Sequence, residues 1–184
     1  MSSVTLEVLG GYLDRMDWPA PYVTQDEPGE REGYLGTFWT TAGGQVYRLV
    51  IDPQIERGLI VFRSSLAFGA PLDDPPTVPQ LELLAYLSYR NYHIMLGKWT
   101  RDYDGEIVFS LVYGIDDGLP FERFQRLLLL AIREIESQAP AFAALLDGSK
   151  RFSDLGPAHS EPTAVPASPA PDRPASPGDR ALIN

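Results

Sequence analysis

The sequence predicts an α+β fold in which an antiparallel sheet carries its helices on one face. Three observations carry that prediction. Apolar residues recur by threes and fours in three stretches, short runs of alternating residues lie between them, and the connections between neighbouring runs are too short for parallel crossovers. The predicted order is helix, four strands, helix, two strands, helix.

Each element has its own signal. Val4, Val8, Leu9, Tyr12, Leu13 and Met16 follow Ser2 and Ser3 and line one helical face, which Asp17-Trp18-Pro19 ends. Strands are expected at 21–25, 34–41, 45–51 and 58–66, with turns at Glu27-Pro28-Gly29, Gly43-Gly44 and Arg57-Gly58. Thr77 and Gln80 have capping-box spacing and open a second helix through Leu81, Leu84 and Leu87 to about Arg90. Strands at 92–101 and 106–113 flank a hairpin turn at Asp102-Tyr103-Asp104-Gly105. A last helix begins at Pro120 and buries Phe121, Phe124, Leu127, Leu128, Ala131, Ile132 and Ile135; Pro140 is expected to end or kink it.

The chain has 184 residues and is 44% hydrophobic, enough for one well-buried core. The reading is one domain over 1–148 and a tail over 149–184. In the tail Pro157, Pro162, Pro166, Pro169, Pro171, Pro174 and Pro177 alternate with Ala, Ser and Asp, so it cannot bury enough apolar surface to offset the entropy of ordering. There is no cysteine, basic leader or membrane-length apolar run, so a cytoplasmic, non-membrane location is expected.

The net charge is −10, and all of the excess lies before residue 149: 11 Lys and Arg stand against 21 Asp and Glu there, and 4 against 4 beyond. Such acidity repels phosphate backbones, so no direct nucleic-acid binding is expected and a basic client is favoured.

Catalytic parts are scarce. The histidines are His93, read as part of a strand, and His159 in the tail, a pair that cannot supply a metal centre or a base for a serine. No nucleophile elbow, P-loop or dinucleotide fingerprint occurs, and a calcium loop begun at Asp102 would have Tyr113 where its closing glutamate belongs. Neither cofactor nor metal is expected, and a carboxylate-dependent hydrolase is the remaining enzymatic alternative.

The strands point to binding instead. Ile107, Phe109, Leu111 and Tyr113 make one apolar face, yet Val108 and Val112 leave the other apolar too. Val46 and Val50 likewise oppose Tyr47, Leu49 and Ile51, and Met95 and Trp99 are counted with the same second face. That face needs a cover: a second copy, a client, or the loop 70–79. Met95, Trp99, Val108, Val112, Val46 and Val50 are therefore the expected dimer-interface or partner-binding residues.

The stretch Leu83-Leu84, Asn91-Tyr92, Gly97-Lys98-Trp99, Asp102 to Phe109 and Leu119-Pro120-Phe121 resembles the YbjN family, described as bacterial sensory transduction regulators. The resemblance is densest from 83 to 130. It implies a fold like that of type III secretion chaperones, small acidic homodimers that hold a partner chain without chemistry. The expected function is thus a non-enzymatic protein-binding regulator or chaperone-like adaptor acting as a homodimer. Its alternative is an accessory partner of a basic nucleic-acid-binding protein.

Overall fold

Thr5 starts the first helix: its hydroxyl accepts from Val8 N–H at 3.2 Å and satisfies one of the backbone donors that the first turn leaves free. That helix, α1, spans Leu6–Asp14 in this computed structural model, which describes residues 4–18, 22–24, 33–66 and 75–155. Leu9 and Leu13 are its buried contacts, and the Tyr12 hydroxyl donates to Leu119 C=O at 2.9 Å, tying α1 to the entry of the last long helix.

Six strands form one antiparallel sheet: β1 (Tyr22–Thr24), β2 (Tyr34–Thr40), β3 (Val46–Gln54), β4 (Leu59–Leu66), β5 (Lys98–Arg101) and β6 (Ile107–Gly114), in spatial order β1-β2-β3-β4-β6-β5. Three tight turns set the register as the sequence predicts. Gly44 takes φ +81 between β2 and β3, where Thr41 N–H donates to Gln45 C=O at 2.9 Å. A 3-10 turn at Ile55–Arg57, closed by Gly58, leads into β4. In the β5–β6 hairpin Asp102 Oδ1 accepts from Asp104 N–H at 3.1 Å and from Glu106 N–H at 2.9 Å, a turn and not a cation loop. The turn expected at Glu27-Pro28-Gly29 and most of the loop 70–79 lie outside the described residues.

The helices α2 (Val78–His93) and α3 (Phe121–Leu146) pack with α1 on one face of the sheet, as the fold class requires. Gln80 Oε1 accepts from Thr77 N–H at 3.0 Å, the reciprocal bond of the expected capping box. The shared core joins Leu35, Leu49, Ile51, Phe62, Phe109 and Leu111 of the sheet to Leu83, Phe124, Leu128, Ile135 and Phe142 of the helices. Each fully buried side chain of this kind contributes about 1.5–3 kcal/mol.

Three boundaries differ from expectation. The helix α2 continues to His93, so His93 is helical and not in a strand, and β5 begins only at Lys98. The apolar run Tyr92 to Leu96 looks extended by composition, but Leu83, Tyr86 and Leu87 anchor a helical face that persists until Ile94 leaves it. Pro140 does not end α3. It sits on the exposed side, so the carbonyl it fails to pair faces water, while buried Ala139, Phe142 and Leu145 hold the helix together beyond it. Finally, residues counted with the tail are ordered: Phe152–Leu155 form a helical turn, α4, whose Phe152 ring meets Tyr86 and Tyr89 at 6.3 and 5.8 Å. Glu82 Oε2 accepts from Phe152 N–H at 2.6 Å, joining α4 to α2. The tail beyond 155 lies outside the described residues.

Candidate functional site

Side chains on a strand alternate between faces, so the cross-strand pairs sort the positions of β2 to β6 to one side of the sheet or the other. Trp39↔Tyr47, Ile51↔Phe62, Phe62↔Leu111 and Trp99↔Phe109 belong to the helix-covered face. The opposite face carries Phe38↔Arg48, Thr40↔Val46, Val50↔Arg63 and Asp52↔Val61. It continues through Arg63↔Ser110, Val61↔Val112, Ser65↔Val108 and Lys98↔Ser110. No described helix packs on this second face.

Four of the six expected interface residues lie there. Val46 is 63% and Val112 51% exposed, and Val50 and Val108 are half-buried. Phe38, which sequence reasoning did not single out, joins them at 46% exposure; its position between buried Thr37 and Trp39 is the alternation that could have revealed it. The other two expected residues do not belong. Met95 is exposed, but in the connection from α2 to β5 and not on the sheet.

Trp99 lies on the opposite side altogether and is 1% exposed. Counting alternation from 92 grouped it with Met95; the strand begins at Lys98, and pairing with Phe109 turns the indole into the core. There Trp99 Nε1 donates to Glu134 Oε1 at 3.0 Å, and its ring lies 5.1 Å from Phe109 and 4.7 Å from Phe142. The same carboxylate pairs with Arg90, whose Nη2 donates to both oxygens at 2.8 and 3.0 Å.

Asn91 is the second residue that pattern reading undervalued. Its side-chain oxygen accepts from Trp99 N–H at 2.7 Å and its amide donates to Trp99 C=O at 2.8 Å. Trp99 turns these backbone groups away from β6, so the Asn91 amide stands where a further strand would pair. This is how a sheet edge is protected from adventitious pairing. The wedge is held by Gly97, whose φ of +87 lets the connection pass directly over the Phe109 ring.

Among the described strand residues, the charges on this second face differ from those of the chain. Over β2 to β6 that face presents Arg48, Arg63 and Lys98, all exposed, against the single carboxylate of Asp52. Asp52 accepts from Gln54 Nε2 at 2.9 Å, and among the described residues neither Arg63 nor Lys98 forms an ion pair. Glu106 and the turn carboxylates of Asp102 and Asp104 lie past the strand ends. On the covered side, burial raises the Tyr86 phenol above its ordinary pKa, an effect that Arg90 opposes. Its hydroxyl donates to Gln138 Oε1 at 2.9 Å. Among the described residues no three His, Asp or Glu side chains come together as a metal site, and no helix is long and apolar enough to cross a membrane.

The comparisons with known proteins bear on the fold. No family model matches the chain, and no curated protein matches it. A solved structure does: the crystal structure of YbjN from E. coli, described as a candidate transcription regulator, superposes with a TM-score of 0.51 at 16% identity, covering 81% of this chain and 94% of that one. The chain has a YbjN-like fold. The likeness spans nearly the whole of that protein, so the sheet and the helices on it form a unit common to both.

Proposed function

We propose that this chain is a non-enzymatic regulator that works by binding another protein, and that the sheet face on which no described helix packs is its docking surface. The observation that carries this reading is the exposure of Phe38, Val46 and Val112 on a face that no described helix covers. Exposed apolar residues that share one sheet face mark an interaction site more often than solitary ones do. The description of the YbjN structure as a regulator supports the same class of function.

Val112→Asp tests the surface. It places a charge at an exposed position, so folding should be unchanged, while capture of partners from native cell extract, read by mass spectrometry against wild type, should lose its specific bands. An unchanged set of partners would refute the docking face.

A second copy is the other occupant that these residues favour, because a symmetric pairing would set Val112 and Val108 of one protomer against the same face of its partner. Light scattering at micromolar concentration decides it. A mass twice the 20.4 kDa of the chain that Val112→Asp halves would establish a homodimer through this face. A wild-type monomer would leave the surface to a different protein.

A further inference from the structure

On the helical side of the molecule, α2 and α4 together carry a row of aromatic rings, and the proline-rich part of the chain starts beside it. We infer that residues 166–177 of this same chain dock along that row as a polyproline II helix. The row is separate from the sheet face proposed above, and the inference does not depend on that face.

Three observations lead to it. First, the row is continuous and reaches solvent. The rings of Phe152, Tyr89, His93 and Tyr92 follow one another with centroids 5.8, 4.5 and 5.1 Å apart. Phe152 and Tyr89 are half-buried and His93 is exposed, while Tyr92 at the end of the row is 84% exposed. Successive planes are inclined by 64°, 58° and 86°, so the rings form notches and not a flat stack. Aromatic-lined notches are the surfaces on which proline-rich segments dock.

Second, the segment has the matching chemistry. Pro166 and Pro169, Pro171 and Pro174, and Pro174 and Pro177 are each three residues apart. A polyproline II helix has three residues per turn, so such prolines share one edge at a spacing of about 9 Å, which alternate rings of the row can meet. The carbonyls of that helix are unbonded within it, and the phenols of Tyr89 and Tyr92 supply donors for them. Asp172 and Arg173 are the charged residues of the segment, so it is neutral and not repelled by an acidic domain.

Third, the chain delivers the segment to the row. The bond from Phe152 N–H to Glu82 and the ring contacts of Phe152 fix α4 against α2, so the backbone leaves Leu155 beside this helix. Residues 156–165 then separate Leu155 from Pro166 and span up to about 35 Å when extended. The 16 residues of α2 are about 24 Å long, so the segment reaches any part of the row. A tether of this length keeps the local concentration of the segment near about 1 mM, which a second copy or a different protein would have to exceed.

The chain has no cysteine, so Ser168→Cys gives a single attachment point for a nitroxide spin label between Pro166 and Pro169. In NMR spectra of the full chain the label should broaden the amide signals of Tyr89 and His93 more than that of Val112 on the far side of the sheet. Two changes should each remove this excess: alanine at all five of Pro166, Pro169, Pro171, Pro174 and Pro177, and Tyr92→Ala at an exposed position that the fold does not need. Both leave the tether and its length intact, so broadening from nearness alone would survive them.

Broadening no greater at Tyr89 and His93 than at Val112, or an excess that survives either change, would overturn the inference. So would broadening of equal strength when isotope-labelled wild type is mixed with a separate spin-labelled chain, because the occupant would then belong to a second copy.

Discussion

The Asn91 side chain makes a two-bond pairing with the Trp99 backbone, accepting at 2.7 Å and donating at 2.8 Å. One amide thus does three things: it joins the end of α2 to β5, blocks the outer edge of the sheet, and holds the Trp99 indole in the core. Asn91→Ala leaves a backbone donor and an acceptor without partners and is expected to cost about 2 kcal/mol. Urea unfolding would show it, and the Trp99 amide should exchange with deuterium markedly faster than in wild type. Unchanged exchange at Trp99 would mean that the pairing does not protect the edge.

Gly97 makes that pairing reachable. A Cβ there would lie 2.7 Å from Phe109 Cζ and 3.0 Å from Ser110 C=O, at a φ of +87 that other residues rarely adopt. Gly97→Ala should therefore destabilise the fold by about 3 kcal/mol. Gly43→Ala is the control: its Cβ would meet nothing nearer than Thr41 Oγ1 at 3.8 Å, and its thermal midpoint should move far less.

Glu134 receives both Arg90 and Trp99, and it is only partly reached by solvent, with side-chain exposures of 22% for Arg90 and 16% for Glu134. Glu134→Ala leaves the guanidinium without its partner and should cost about 2–3 kcal/mol, below the about 3–5 kcal/mol of a fully buried pair because water still reaches it. The double variant with Arg90→Met should cost less than the sum of the single changes. Strict additivity in that cycle would show that the two side chains do not depend on each other.

The Tyr86 phenol gives the stability a pH dependence with a defined sign. Burial raises its pKa above the ordinary 10.0, so the folded state holds the proton more tightly than the unfolded chain does. Its contribution is complete below the unfolded value and is lost as pH rises through the folded one. Wild type should lose stability relative to Tyr86→Phe as pH climbs past 10.0, whereas the loss of the bond to Gln138 makes the variant the weaker at neutral pH. A difference between the two that is independent of pH up to 11 would contradict the assignment.

The fold class and element order were legible in the sequence because they depend on local signals. Helical spacing, alternation and turn residues act within a few positions, and the capping box at Thr77 and the turn at Asp102 to Gly105 form as their residues dictate. The second sheet face was partly legible for the same reason, since alternation in β3 and β6 assigned Val46, Val50, Val108 and Val112 to one side. Boundaries failed where local signals conflict. The run Tyr92 to Leu96 suits either a helix end or a strand, and the packing of α2 against α3 and β5 decided for the helix.

What the sequence determined by itself was therefore periodicity, turn chemistry and the distribution of charge along the chain. Only the tertiary structure decided which residues those periods bring together. It sent Trp99 into the core through its register with Phe109, and placed Asn91 against a strand eight residues away. It also gathered Arg48, Arg63 and Lys98 from three strands onto one face of an acidic protein. The physical reason is that side-chain direction follows from a strand's exact start and partner, and a shift of one residue exchanges core for surface.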